Sequence, residues 1–257
     1  MRSFASILLG LFRPAKGIDG AGDAVKWLWI PLAVLLLGSV LFKTAVSTPM
    51  KIEYQTAQAE AIMQEQIDSM PEADRKQYEK DMAAAEANGE ITQDEVLTTA
   101  MQVTSVADIV FGALGALVAI LYTATFFFVA AKTWANPVRF PTMLTVSALS
   151  LLPNAIRNVI QGIHMTSTGV WLQHAGLGAL VAPTEITEAP GAAYAVLSQI
   201  DLFVVWGLLI LFGALLSKAI GVEKKRAVPA ILVFIVVTGI VKAIPVIIGS
   251  LFTGAVM

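Results

Sequence analysis

Five long apolar segments constrain this chain more than any other feature of its sequence. They cover about 27–44, 106–131, 141–163, 197–220 and 229–252. Each approaches the ~20 residues that a helix needs to cross a ~30 Å hydrocarbon core. The sequence therefore predicts an all-α polytopic membrane protein with a five-helix transmembrane bundle. The third segment can cross only if its helix continues past Pro153.

Composition agrees with this class and excludes several kinds of chemistry. Hydrophobic residues make up 56 % of the chain and charged residues 14 %, a balance that favours a membrane protein. The absence of cysteine excludes disulfides and thiol chemistry. His164, His174, Glu185 and Glu188 could in principle hold zinc, but their spacing matches no site of known mechanism. We expect no metal, no cofactor and no nucleic-acid partner.

Lysine and arginine predict how the chain is oriented. They are frequent in the lead 1–26 and in the turns after the second and fourth segments. Region 46–105 has four basic residues against twelve acidic ones, and region 164–196 has no lysine or arginine. Because basic loops stay on the cytoplasmic side, we predict a cytoplasmic N-terminus and an external C-terminus in a bacterial inner membrane. We expect the first segment to be retained as a helix rather than cleaved.

The lead 1–26 carries a short amphipathic pattern. Its apolar residues recur at helical spacing, and basic residues flank them. They are Phe4, Ile7, Leu8, Leu11 and Phe12. The pattern predicts an interfacial helix that lies on the inner leaflet. The alternative is that this face packs against the bundle.

Residues 49–105 form the only large polar region between the predicted spans. The sequence predicts two or three helices here, which make an external hairpin arm inserted between spans one and two. Pro49 is placed as a helix start, Ser69 and Glu72 have the spacing of a capping box, and the last helix is expected to run into the second span. The arm either packs on itself or on a second protomer. Its charge indicates either a solvated surface or a docking arm.

Polar residues inside the spans are the candidate site. A charge at such a depth costs at least ~2.5–3.5 kcal/mol, so it must face the bundle or water and be paired. All lie in the predicted outer half of the membrane, and the members are Lys43, Asp108, Asn154, Arg157, Asn158, Asp201 and Lys242. Asp201 and Asp108 are the predicted partners of Lys242. The cluster is either a structural network of ion pairs or a solvated cavity for a ligand or lipid headgroup.

Several segments, in order, resemble the Yip family, the Ypt/Rab-interacting-protein domain, in its bacterial branch. "LFRPAKGID" matches the phenylalanine–x–proline lead through Phe12 and Pro14. "AAKTWANPVRFPTMLTVSALSLLPNAI" resembles the basic turn and third span. Asp201, Phe203 and Trp206 match the helix start of the fourth span. The likeness covers about 1–48 and 106–254 and leaves the arm 49–105 outside.

The resemblance implies a five-helix membrane domain that is not an enzyme. The eukaryotic aspartate–leucine–tyrosine–glycine–proline signature is missing, so Rab binding is not expected. Some bacterial relatives accompany ABC exporters. We therefore predict a membrane scaffold or accessory protein, with a homo-oligomer or an exporter among its partners. The alternative is a transporter or lipid-handling protein that uses the outer polar cluster. No nucleophile and base converge at a recognisable spacing, so an enzyme is the least favoured reading.

Overall fold

The computed structural model describes residues 2–87, 93–134, 137–172, 176–181, 194, 197–198 and 200–253. Within its helices, the side chains of 2–4, 79, 82–83, 85–87, 93–102, 104–105, 242–243 and 245–253 lie outside the description. The described part is helical and contains no β-strand, as the sequence predicts. Its α-helices are α1 (Arg2–Leu9), α2 (Pro14–Ala21), α3 (Trp29–Ser69), α4 (Glu72–Ala87), α5 (Gln93–Thr133), α6 (Phe140–Thr168), α7 (Leu202–Leu215) and α8 (Lys224–Thr253).

Two helices, α3 and α5, are far longer than a membrane crossing requires. Each has 41 residues, or about 60 Å at 1.5 Å per residue. They pack against each other and continue past their apolar segments into the region 49–105. The end of the bundle where they continue is called the arm end below, and the opposite end is called the basic end. The prediction that the last arm helix runs unbroken into the second span is confirmed.

The predicted helix start at Pro49 is wrong, because Pro49 lies inside α3. Proline lacks the N–H that would bond to the Ala45 carbonyl. Helix α5 nevertheless contacts α3 on both sides of the proline, near Thr44 and at Lys51, and this packing keeps α3 continuous. The break after Ser69 is present as predicted. Its capping box is not, because the Ser69 hydroxyl donates backwards to the Gln66 carbonyl.

Helix α6 is the centre of the bundle. Every residue from 142 to 150 is buried, and α6 packs against α3, α5 and α7. Pro153 lies inside α6, so this helix continues past the proline as a crossing requires. The helix α7 crosses α6 closely at Gly207, where an added Cβ would lie 2.4 Å from the Ser150 carbonyl oxygen.

The membrane class rests on three helices. Helices α3, α5 and α6 contain stretches long and apolar enough to cross a bilayer. Helix α7 is apolar but has only 14 residues, fewer than the predicted 197–220, because Asp201 caps its start. Helix α8 has 30 residues, many of whose side chains lie outside the description. The five-crossing arrangement stays a prediction.

The lead folds as two short helices rather than one. The predicted amphipathic helix ends at Leu9, so Leu11 and Phe12 lie in a turn. The reason is Pro14, which begins α2 and disfavours the helical conformation at Arg13. Helices α1 and α2 pack together, and a 3-10 helix, Gly22–Lys26, leads into α3.

Candidate functional site

Arg157 and Asp201 form the central ion pair of the candidate site. Arg157 projects from α6, and its Nη1 forms a salt bridge with Oδ2 of Asp201. Asp201 is the N-cap residue of α7, and its Oδ1 accepts a hydrogen bond from the Val204 N–H at 2.8 Å. The carboxylate is nine-tenths buried. Because a charged acceptor at a helix N-terminus also meets the positive end of the helix dipole, Asp201 is stabilised from two directions.

Helix α3 adds polar residues to the same region. The side-chain amide of Asn158 donates to the Ser39 hydroxyl at 3.4 Å. Lys43 lies one turn further along α3, within electrostatic range of both Arg157 and Asp201. The predicted residues Lys43, Arg157, Asn158 and Asp201 are therefore gathered in one place, towards the arm end. Two cations and one carboxylate leave this group with a formal charge of +1.

Three polar atoms of this region are buried without a hydrogen-bond partner among the described residues. They are Asn154 Oδ1, Arg157 Nε and Gln161 Oε1, and all three residues lie on α6. A buried polar group left unsatisfied costs about 1–3 kcal/mol. Such groups in native proteins are normally paired with protein or ordered water. These three atoms are therefore the groups of the candidate site that a water molecule or a polar ligand would contact.

Asp108 belongs to a different ion pair. Its Oδ2 lies 2.7 Å from Nζ of Lys51, and both side chains are partly exposed. This bridge joins α5 to the part of α3 beyond Pro49. Sequence reasoning missed Lys51, because a helix break at Pro49 would have placed it on a separate element. The signal that could have found it is the helix-forming sequence on both sides of Pro49, which makes α3 one continuous helix of 41 residues.

Lys242 is a residue of α8, but the structure does not describe its side chain. Its predicted pairing stays a prediction. Both predicted partners already have a cation, since Asp201 pairs with Arg157 and Asp108 pairs with Lys51.

The predicted apolar face of the lead is covered by protein only in part. Ile7 is fully buried, and Leu8 and Leu11 are partly buried against the core. Phe12 is 75 % exposed, although its ring centroid lies 5.7 Å from that of Trp206. The side chain of Phe4 lies outside the description. These contacts agree with packing against the bundle, whereas a position on the inner leaflet stays a prediction.

Trp206 of α7 holds the lead through a second contact. Its indole Nε1 donates to the Leu11 carbonyl at 2.8 Å. Pro14 also lies close to α7, because a Cβ added at Gly213 would be 2.5 Å from the proline ring. The two segments in which the family resemblance is most specific, Phe12–x–Pro14 and Asp201 to Trp206, therefore contact each other in the fold.

No group of three histidine or acidic side chains suited to a metal occurs in the part of the chain that the structure describes. Of the four residues weighed for zinc, only His164 falls within that part. The prediction that this set holds no metal is therefore untested for His174, Glu185 and Glu188.

The three helices that are long and apolar enough to cross a bilayer define the class as an integral membrane protein. The family model of the Yip1 domain matches residues 9–244. The chain belongs to the Yip1 domain family, as the resemblance of its lead and of its third and fourth spans predicts. No curated protein matches the chain, and no solved structure does.

Proposed function

We propose that this chain is a non-enzymatic membrane scaffold or accessory protein of the Yip type. The length of α3 and α5 carries this proposal. At about 60 Å, each is twice as long as a ~30 Å hydrocarbon core is thick. With the apolar stretch of each helix in the bilayer, the remainder, 49–69 of α3 and 93–105 of α5, extends into water as an arm. The proposed setting is a bacterial inner membrane with the N-terminus in the cytoplasm and the arm and C-terminus outside.

The surface of the described arm suits a docking role. Its polar contacts are mostly local, such as Lys76 with Glu72 one turn away. Tyr78 of α4 contacts the sulfur of Met63 on α3 at 3.8 Å, which ties the two helices together. Ile62 and Met63 nevertheless remain more than one third exposed. Ile62 and Met63 are therefore the apolar positions of the arm that a partner could cover, and the partner we propose is another membrane protein, such as an ABC exporter, or a second copy of this chain.

A photo-crosslinking experiment tests this function. A photoreactive amino acid at Ile62 should form a covalent adduct of one defined mass in intact membranes. The same amino acid at Val118, which is exposed on the apolar stretch of α5, serves as the control and should give no protein adduct. Adducts only from Val118, or none from the arm at Ile62, Met63 and Glu65, would contradict the docking role.

The second candidate function is transport or lipid handling through the polar cluster around Arg157. The buried atoms of Asn154 and Gln161 without partners among the described residues favour it. Replacing both residues with leucine separates the two functions. The scaffold proposal expects this variant to fold, to keep the adduct at Ile62, and to restore the phenotype of cells from which the gene has been deleted. Loss of the phenotype with the adduct retained would favour the transporter.

A further inference from the structure

A cavity of about 560 Å³ lies at the basic end of the bundle. Its volume falls within the ~300–1,000 Å³ typical of ligand pockets. The cavity lies between α2 with the 3-10 helix after it, the start of α6, and the turn after α7. The residues that line it are Ile18, Asp19, Gly22, Asp23, Val25, Lys26, Pro137, Arg139, Thr142, Lys218 and Ala219.

Five charged side chains share this cavity. Lys26, Arg139 and Lys218 are cationic, and Asp19 and Asp23 are anionic. Among the described residues, none of the five forms a salt bridge within 4.0 Å. Asp19 accepts a hydrogen bond from the Ala219 N–H at 3.2 Å, which holds α2 against the turn after α7. The cavity is open to solvent and thus presents charges of both signs that form no direct ion pair with each other, and Asp19, Asp23, Arg139 and Lys218 are exposed.

The cavity lies at the depth of lipid headgroups if the apolar parts of α3 and α6 are in the bilayer. Lysine, arginine and tryptophan mark the edge of the hydrocarbon in membrane proteins. Trp27 follows Lys26 directly and is 64 % exposed. From Trp27 an exposed apolar stripe continues along α3 through Ile30, Val34 and Leu41, at spacings of three, four and seven residues. A stripe of this kind is a surface on which acyl chains can lie.

We propose that this cavity binds the headgroup of an aminophospholipid, with its acyl chains along the α3 stripe. The phosphate would be bound by Arg139, Lys218 and Lys26. Arginine offers a planar set of donors that matches phosphate oxygens, and lysine adds a point charge. The ammonium would be bound by Asp23 and Asp19. Basic pockets at the cytoplasmic face commonly take anionic headgroups, but a purely anionic ligand would be repelled by the two carboxylates.

Native mass spectrometry of the full chain in detergent tests the proposal. The probes are short-chain phosphatidylethanolamine, short-chain phosphatidylglycerol, free phosphoethanolamine and inorganic phosphate. The wild type should bind phosphatidylethanolamine most tightly. Free phosphoethanolamine has the same polar chemistry but no acyl chains, so it should bind at least about tenfold more weakly.

Substitutions at three charged residues test which part of the headgroup each residue binds. Arg139→Gln and Lys218→Gln each remove a charge-assisted contact to phosphate and should weaken both lipids about tenfold or more. Asp23→Asn removes only an ammonium contact, so it should weaken phosphatidylethanolamine and leave phosphatidylglycerol unchanged or tighter. Arg139→Lys should recover part of the binding. Thermal unfolding in lipid-free detergent reports whether each variant is folded.

The matched control is Lys225→Gln. Lys225 belongs to the same predicted cytoplasmic side, is 76 % exposed, and does not line the cavity. It pairs with Glu223 at 3.0 Å, and this contact lowers the pKa of the Glu223 carboxyl. Its substitution should not change lipid binding.

Three results would overturn the proposal. The first is that the Arg139→Gln and Lys218→Gln variants fold and still bind both lipids as tightly as the wild type does. The second is that the wild type binds the two lipids with equal affinity and that Asp23→Asn changes neither affinity. The third is free phosphoethanolamine or phosphate binding as tightly as the lipid, which would assign the cavity to a soluble ligand. None of these results bears on the arm, so the test is independent of the proposed scaffold function.

Discussion

Arg157 on α6 forms a salt bridge with Asp201, the residue that caps the start of α7. One carboxylate therefore does two things: one oxygen accepts from a guanidinium and the other from a backbone N–H. The bridge joins the buried central helix to the helix that contacts the lead. Changing either residue should affect how α6 and α7 pack.

The first prediction separates these two roles of Asp201. Asp201→Asn keeps an oxygen that can cap α7 but removes the charge that pairs with Arg157. Breaking a buried ion pair by removing one partner costs about 3–5 kcal/mol, and loss of the cap in Asp201→Ala should add ~1 kcal/mol. Unfolding in detergent should therefore rank the stabilities as wild type, then Asn, then Ala.

The matched double substitution tests the pairing itself. Arg157→Met combined with Asp201→Asn removes both charges of the pair and leaves Lys43 as the one cation of the group, so it should recover part of the stability that either single change loses. A double variant as unstable as the sum of the two singles would mean that the residues do not interact.

The second prediction compares this pair with Lys51 and Asp108. Their side chains are 28 % and 33 % exposed, and pairs near water contribute no more than about 1 kcal/mol. A double-mutant cycle with Lys51→Met and Asp108→Asn should show a small coupling free energy. Salt should reduce that coupling, because the Debye length falls to ~3 Å at 1 M.

The Arg157–Asp201 cycle serves as the comparison, and its coupling should change little with salt. A coupling between Lys51 and Asp108 that is large and insensitive to salt would place that pair inside the hydrocarbon instead of at the arm end.

The third prediction concerns Trp206 and the lead. Trp206→Phe retains an aromatic ring near Phe12 but removes the hydrogen bond to the Leu11 carbonyl. The loss should cost about 0.5–1.5 kcal/mol of local stability, and trypsin should then cut faster after Lys16, which is exposed, while the spans stay inserted. Trp27→Phe is the control, because that side chain is mostly exposed. Equal cleavage in both variants and the wild type would show that Trp206 does not hold the lead.

The helical class and the uninterrupted course of α5 could be read from the sequence, because both depend on hydrophobic pattern along one segment. The continuation of α6 past Pro153 could also be predicted, since a helix that ended there would be too short to cross the membrane. The error at Pro49 has a different origin. A proline is an excellent local signal of a helix start, but contacts with α5 on both sides keep α3 continuous. Tertiary packing overrides the local signal there.

Ion-pair partners were the least predictable feature of the site. The sequence placed Arg157 and Asp201 in the same half of the spans, but it did not identify them as partners of each other, and it left Lys51 out; the pairing of Lys242 stays a prediction. Depth along a helix follows from residue number, whereas the direction in which a side chain projects depends on which helices are neighbours. The contact between the lead and Trp206 is of the same kind, since almost two hundred residues separate Leu11 from it.

The fourth prediction tests the close crossing of α6 and α7. An added methyl group at Gly207 would lie 2.4 Å from the Ser150 carbonyl oxygen, a backbone atom that cannot rotate away. Gly207→Ala should therefore destabilise the protein by about 1–3 kcal/mol, the usual range for overpacking. Gly115→Ala is the control, since nothing lies within 4 Å of a Cβ there. Equal stability of the two variants would mean that α7 can move away from α6 without cost.

The last prediction concerns topology, and it uses the absence of cysteine from the chain. A single cysteine introduced by substitution is then the only thiol that a reagent can find. Glu65 on the arm and Lys225 at the start of α8 are both exposed, so either position should react wherever the reagent has access. The excess of lysine and arginine at the basic end predicts that this end is cytoplasmic.

In intact cells, a membrane-impermeant maleimide should therefore label Glu65→Cys and not Lys225→Cys. Permeabilised cells are the control, in which both variants should react to the same extent. The two positions lie at opposite ends of the bundle, because α3 and α5 extend past their apolar segments at one end and α8 begins at the other. Labelling of Lys225→Cys alone would invert the predicted orientation. Labelling of both in intact cells would mean that the helices between residues 65 and 225 do not cross the membrane an odd number of times, which the five-span arrangement requires.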